Sequence, residues 1–89
     1  MSCFIVIFEL NDQAVLPALN AALTAYPAHC PMTSHSWAIL SEETPVIIRD
    51  KLTSFIGPTD KLFVIRSGTA GAWRGAYSEQ HNEWLRTNL

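Results

Sequence analysis

The fold is decided by one stretch of the sequence, Cys3-Phe4-Ile5-Val6-Ile7-Phe8-Glu9-Leu10. Seven of its eight residues are apolar, and β-branched and aromatic side chains are enriched, which is typical of a buried central strand. Because side chains alternate along a strand, one face carries Cys3, Ile5, Ile7 and Glu9, and the other carries Phe4, Val6, Phe8 and Leu10. Both faces are apolar, so both must be covered in the folded protein.

Length and composition predict a single domain spanning residues 1–89. Apolar residues make up 48% of the chain and charged residues only 16%, against about 25% charged in ordinary globular proteins. The excess apolar surface favours an oligomer interface. The net charge of −2 argues against a protein whose affinity for nucleic acid comes from neutralising phosphates.

The two cysteines, Cys3 and Cys30, show no metal-ligand spacing and are predicted to be reduced packing residues. No signal peptide is visible, and no apolar run approaches the roughly 20 residues that span a bilayer. The sequence therefore predicts a cytoplasmic protein with no membrane partner.

Helical and strand patterns alternate after the first strand. One stripe of an amphipathic helix is formed by Val15, Leu16, Leu19, Ala22, Leu23 and Tyr26. Residues 28–34 follow Pro27 and contain Pro31, and these prolines predict an edge strand. Residues 36–40 predict a better strand, which a tight turn at Ser34 and His35 joins to the edge strand.

A second helix has the clearest boundaries. Thr44 is a good N-cap and Pro45 a favourable first residue, while Gly57 is predicted to end the helix in a left-handed conformation. The inner stripe is Ile48, Leu52 and Phe55. Residues 61–67 then predict another strongly apolar strand, and an arm around Trp73 leads to a last helix, which Ser78 caps.

The element order β-α-β-β-α-β predicts an α+β fold, a ferredoxin-like sandwich with a C-terminal arm and a short helix. Its two helices share one sheet face, which leaves the other face bare, yet the first and last strands are apolar on both faces. Either the sheet of a partner or the C-terminal arm covers the second face. A homodimer is the favoured solution, with interface residues Ile5, Ile7, Trp73 and Trp84.

The carboxyl end of the first strand is predicted to meet the amino ends of two others at one rim. This rim gathers Glu9, Asn11, Asp12, His35, Ser36 and Asp60. The carboxylates of Glu9, Asp12 and Asp60 are suitable ligands for Mg²⁺ or Mn²⁺, and a bound ion can position water for phosphodiester hydrolysis. The alternative is an ordinary polar rim, in which Asp12 starts a helix, Asp60 forms a turn and Glu9 is solvated.

Two basic residues, Arg66 and Arg74, lie in the last part of the chain near Trp73. An arginine and an aromatic ring can stack on nucleic-acid bases, so both arginines are candidate nucleic-acid contacts. The alternative role for Trp73 is an apolar plug in the core or at an interface.

Five segments carry a family resemblance when they occur in this order: Val6-Ile7-Phe8-Glu9-Leu10-Asn11, Ser36-Trp37-Ala38-Ile39, Ile48-Arg49-Asp50-Lys51-Leu52, Asp60-Lys61-Leu62-Phe63-Val64 and Ala72-Trp73-Arg74-Gly75. The chain resembles the SinR-like small proteins of bacteria, which are similar to the ferredoxin-like CRISPR-associated spacer-adaptation subunit and to the VapD toxins. The resemblance implies a homodimer. In the CRISPR-associated branch it also implies a divalent-metal nuclease site on an aspartate at the end of the first strand, where this sequence has Glu9.

Two functional hypotheses follow from different classes. The first is a divalent-metal-dependent endonuclease acting on RNA or DNA, with Glu9 as the catalytic metal ligand and Asp12 and Asp60 assisting. The second is a non-catalytic protein-interaction or regulatory module that has kept the fold and lost the metal site.

Overall fold

The computed structural model describes residues 1–68 and 70–89, and it contains one four-stranded antiparallel sheet. The elements are β1 (Ser2–Glu9), α1 (Leu16–Thr24), β2 (Ala28–Thr33), β3 (Ser36–Ser41), α2 (Pro45–Thr53), β4 (Lys61–Arg66) and α3 (Glu79–Asn88). A 3-10 turn, Gln13–Val15, precedes α1. The strand order β2-β3-β1-β4 places β1 inside the sheet and confirms the predicted ferredoxin-like α+β class.

The main core lies between one sheet face and the helices α1 and α2. Its buried side chains are Phe4, Val6, Phe8 and Leu10 from the first strand and its end, Trp37 and Ile39 from β3, Leu19 and Leu23 from α1, and Ile48 and Leu52 from α2. The predicted stripe of α1 is confirmed, because its remaining members pack against this core. Packing in this core removes the apolar sides of both helices from water, and this burial is the main force that holds them on the sheet.

The start of α2 is as predicted, but its end is not. Thr44 Oγ1 accepts a hydrogen bond from the Ile47 amide at 3.3 Å, and Pro45 follows as the first helical residue. Within the described residues the one glycine with positive φ is Gly75, so the predicted left-handed stop at Gly57 is wrong. The helix ends at Thr53, and tighter backbone turns continue the chain through Phe55, which is 39% exposed.

The edge strand β2 is irregular. It pairs with β3 alone, and the register of that pairing shifts between Pro31 and Thr33. Proline lacks the backbone donor that a central strand needs, so its place at an edge matches the prediction from composition. In the described residues 67–68 and 70–78, the arm between β4 and α3 forms no strand.

The C-terminal helix covers half of the second sheet face. Ser78 caps α3 by accepting a hydrogen bond from the His81 amide at 3.1 Å. Leu85 is buried in a second cluster with Cys3, Cys30 and Ala38, and Trp84 packs on its edge. Both cysteines are free thiols whose pKa is raised by burial, which confirms their packing role.

Candidate functional site

The predicted rim forms where β1 ends. Glu9 pairs in register with Lys61 at the start of β4, and the Phe8 amide donates to the His35 carbonyl in the β2–β3 turn at 3.0 Å. The Asn11 amide reaches the loop before β4 and donates to Asp60 Oδ1 at 2.8 Å. Strand order and register therefore place Glu9, His35 and Asp60 at one end of the sheet, as the predicted topology required.

Asp60 is the anchor of this rim. Its Oδ1 accepts from the Asn11 amide, and its Oδ2 accepts from the Gly57 amide at 2.7 Å. These two backbone hydrogen bonds favour the charged carboxylate and hold the pKa of Asp60 below its ordinary value. The carboxylate ties the loop after α2 to the segment that leaves β1, which is a structural task that its position in the sequence did not reveal.

Asp12 also has a local task. Its Oδ1 accepts from the Ala14 amide at 2.9 Å and caps the 3-10 turn before α1. This is the helix-start role that the sequence offered as the alternative to metal binding. Neighbouring His35 contacts Ser34 and Gln13 through its two ring nitrogens, at 2.9 and 3.4 Å.

Glu9 differs from the two aspartates because its carboxylate accepts no backbone hydrogen bond from residues 1–68 or 70–89. Its side chain is 72% exposed, and Oε2 lies 3.2 Å from Lys61 Nζ. An ion pair this exposed is worth at most about 1 kcal/mol, so Glu9 is energetically free to change partners. Of the three predicted ligands, it is the carboxylate most available to a ligand from outside the protomer.

The three carboxylates do not form one metal-binding group. Across residues 1–68 and 70–89, no three His, Cys, Asp or Glu side chains lie close enough together to hold an ion. Asp60 uses both oxygens for backbone amides, and Asp12 uses one. A magnesium ion takes one or two protein carboxylates together with waters. Metal binding by Glu9, Asp12 and Asp60 therefore stays a prediction, although the three side chains do not form a single cluster.

The predicted nucleic-acid contacts lie apart from Glu9. Arg66 pairs in register with Phe4, whereas Glu9 pairs with Lys61, so the two positions lie five residues apart along β1. That separation is about 17 Å at 3.4 Å per residue, and Arg66 points to the opposite sheet face by alternation. Arg74 is exposed in the arm beside Trp73, whose indole N–H donates to Asn82 Oδ1 at 2.9 Å.

An apolar surface occupies the half of the second face that α3 leaves open. We call it the β1–β4 patch, and it consists of Ile5, Ile7, Phe63 and Ile65. Ile7 pairs with Phe63 and Ile5 with Ile65 across the two strands, so all four side chains share one face. Ile7 is 42% exposed, Phe63 56% and Ile65 49%. The two predicted interface isoleucines are therefore joined by Phe63 and Ile65, which the two-faced apolar pattern of residues 61–66 already signalled.

The two predicted interface tryptophans have other surroundings. Trp84 is half-buried against the second cluster of its own chain, so it helps to seat α3 on the sheet. Trp73 is 39% exposed and is held to α3 through Asn82. The C-terminal segment thus covers part of the second face and leaves the β1–β4 patch exposed.

Replacing Asp60 tests the anchor role. Asp60→Asn should lower the free energy of unfolding at neutral pH, because the amide presents N–H to one of the two backbone donors. The folded-state pKa lies below the ordinary 3.8, so this stabilisation is present above pH 3.8 and is lost as the pH falls through the folded-state value. Urea unfolding at fixed protein concentration should show the difference from the unmodified protein shrinking in acid.

Asp50→Asn is the matched control for this change. Asp50 is an exposed carboxylate that pairs with the adjacent Arg49, so its loss should change stability little. A pH-independent effect of Asp60→Asn, or equal effects of the two variants, would contradict the anchor role of Asp60.

No helix among the described residues is long and apolar enough to cross a membrane. A scan against protein-family models finds no match for the chain, and a search of curated proteins finds none, so the resemblance to SinR-like proteins stays a prediction.

Proposed function

We propose that this chain works as a homodimer whose function lies in protein–protein contacts, and that it is an interaction module and not an enzyme. The observation that carries the proposal is the β1–β4 patch. Three large apolar side chains, Ile7, Phe63 and Ile65, are each between 42% and 56% exposed and adjacent in register. Contiguous apolar surface of this kind marks interaction sites, because its removal from water is a favourable contribution to association.

A second copy of the chain is the occupant that the surrounding charges favour. Glu9 and Lys61 lie on the same sheet face as the patch and form its border. In a two-fold symmetric contact each surface meets itself, so a carboxylate beside an ammonium group offers each copy an opposite charge on the other. A patch bordered by a single sign of charge would repel its own copy.

The carboxylates at the rim support a non-catalytic role. Asp60 and Asp12 accept backbone hydrogen bonds that stabilise the folded rim. A metal ion that bound these carboxylate oxygens would have to displace those hydrogen bonds. The net charge of −2 also opposes a phosphate-binding platform. Both observations favour a protein that acts through its interaction surfaces and not through a catalytic site.

The dimer is tested by placing a charge in the patch. Phe63→Asp should give a folded monomer in sedimentation equilibrium, because the charge would be desolvated at the interface. Val46→Asp is the matched control, since Val46 is 54% exposed on α2, which lies on the opposite side of the sheet, and this variant should remain dimeric. A monomeric unmodified protein, or a dimeric Phe63→Asp variant, would overturn the proposed interface.

The metal-dependent nuclease is the second candidate, and one observation favours it. Glu9 is exposed on the same face as the β1–β4 patch, so a dimer formed there would bring two copies of Glu9 towards one interface. A carboxylate from each copy is within the number that a magnesium ion takes from protein. The ion would supply Lewis-acid activation of water and phosphate.

Cleavage assays separate the two candidates. Labelled single-stranded RNA and double-stranded DNA are incubated with the unmodified protein and with Glu9→Gln, in Mg²⁺, Mn²⁺ or EDTA. The interaction module predicts no metal-dependent cleavage that distinguishes the two proteins. Cutting that requires the metal and disappears in Glu9→Gln would establish the nuclease in place of the module. The dimer would survive that outcome, because its test measures mass and not activity.

A further inference from the structure

The C-terminal helix is attached to the sheet by few contacts. Leu85 is the one fully buried residue of α3, whereas α1 and α2 each bury two. Among residues 1–68 and 70–89, a single hydrogen bond joins α3 to the sheet, in which the Cys30 thiol, a weak donor, reaches the His81 carbonyl oxygen over 4.0 Å. No ion pair within those residues links α3 to the sheet. The helix is therefore held more weakly than α1 and α2 are.

The arm that leads to α3 is also weakly tied. The Ser67 amide donates to the Cys3 carbonyl at 2.8 Å. Beyond it, in residues 68 and 70–77, no backbone group is hydrogen-bonded to the backbone of residues 1–68 or 70–89. Trp73 binds Asn82 of α3 itself, so this contact can move with the helix. Segments with few buried contacts and few backbone hydrogen bonds open at a lower free energy than the core does.

Two thiols lie beneath this helix. Cys3 is 8% exposed and Cys30 is 2% exposed, and both pack with Leu85 in the second cluster. Their strands lie on either side of β3, which places them at least about 10 Å apart, beyond the roughly 7 Å over which two cysteines can be bridged. Burial raises the pKa of both thiols and keeps them unreactive while α3 is docked. A reaction of either thiol therefore needs α3 to open and a disulfide from outside the chain.

We propose that α3 is a detachable cover and that the two thiols beneath it form a redox-sensitive switch. When α3 lifts, Cys3 or Cys30 loses its proton to water, and the thiolate attacks a small disulfide, RSSR. A bond forms between the protein sulfur and one sulfur of the reagent, the S–S bond of the reagent breaks, and RS⁻ leaves. The added group does not fit beneath Leu85, so α3 stays off the sheet until a reducing thiol removes the group.

The trapped state has a larger exposed apolar face. Ala38, which α3 covers, pairs in register with Ile5 of the β1–β4 patch, so the two halves of the face are continuous. Release of α3 therefore extends the apolar surface from two strands to all four. The switch needs only this chain and a disulfide, so it does not depend on the homodimer or on any chemistry at Glu9.

Thiol labelling tests whether α3 opens on its own. Full-length chains that carry Cys3→Ala or Cys30→Ala keep one thiol each, and they are reacted with dithiobis(nitrobenzoate), an aromatic disulfide whose leaving thiolate is coloured. Leu85→Ala should speed the labelling of both thiols at least about tenfold, because it removes the main contact of α3. Leu52→Ala, the matched truncation in the main core, should leave both rates within about twofold, since it does not touch α3.

Two outcomes of the labelling would overturn the switch. Equal acceleration by Leu85→Ala and Leu52→Ala would show that the thiols become accessible only when the whole chain unfolds. Labelling of Cys30 without labelling of Cys3 would show that the edge strand β2 frays while α3 stays in place.

Hydrogen exchange measures the trapped state. After reaction of both thiols, the amides of residues 79–88 should exchange at least about tenfold faster, because a helix this short is unstable in water without its packing surface. The amides of β1 and α2 should keep their protection, and dithiothreitol should restore slow exchange in α3. A chain with both cysteines changed to alanine is the control and should not respond to the reagent. Unchanged exchange in α3, or lost protection across the sheet, would contradict the proposal.

Discussion

Val6→Asp should leave the chain unfolded, whereas Ile7→Asp should still fold. The two residues are neighbours on β1, but Val6 is fully buried under α1 and α2 and Ile7 is 42% exposed in the β1–β4 patch. A carboxylate at position 6 has no partner in an apolar core, and the resulting loss exceeds about 5 kcal/mol, which is comparable with the whole stability of a small domain. At position 7 it points towards water in the free protomer.

Circular dichroism and thermal melting measure this contrast. Val6→Asp should show no cooperative transition, and Ile7→Asp should melt cooperatively as a monomer because its charge lies in the proposed interface. Loss of folding in both variants would show that the second face is needed for the protomer itself. A cooperatively folded Val6→Asp variant would mean that β1 presents the other set of side chains to the helices.

Leu52→Ala should lower the free energy of unfolding by about 2–5 kcal/mol. Leu52 is 1% exposed in the main core, beside the equally buried Ile48 one turn earlier on α2. Truncation removes apolar contacts and leaves a cavity that the two-layer packing can fill only in part. Leu52 also lines an open cavity between α1 and α2. Neighbouring side chains can therefore shift more easily to fill the space left by truncation, which favours the lower part of this range.

Val46→Ala on the same helix is the control. Val46 is 54% exposed, and alanine has the higher helix propensity, so this change should alter stability by less than about 0.5 kcal/mol. Urea denaturation of both variants at one protein concentration gives the comparison. Similar losses for the two would show that α2 is rotated about its axis relative to the sheet.

Local signals explain why much of the fold could be predicted from the sequence. Thr44 and Pro45 act within one helical turn, and the stripe of α1 depends only on helical spacing, so both were confirmed. The end of α2 depended on more distant atoms. Asp60 accepts the Gly57 amide hydrogen and stabilises a turn that needs no left-handed residue, and nothing in the composition of the loop signalled that contact.

The candidate site was predictable in its location and less so in its chemistry. Strand order alone gathers Glu9, Asp12 and Asp60 at one end of the sheet. Their hydrogen bonds depend on loop geometry, and that geometry gives Asp12 and Asp60 structural tasks while Glu9 stays exposed. The register of the β1–β4 pairing fixes the place of Arg66. It is the last residue of β4 and pairs with Phe4, whereas Glu9 pairs with Lys61 at the other end of β4.

The irregular pairing of β2 limits how copies of this sheet can grow. Pro31 and the adjacent register shift leave β2 a poor template for another strand, whereas β4 at the opposite edge is a regular six-residue strand with β1 as its partner on one side. Fibre growth by strand addition needs two receptive edges on every copy. Each copy has one such edge, and pairing β4 of one copy with β4 of another covers both of these edges. Edge-to-edge association therefore stops at two copies and does not continue into an amyloid-like filament.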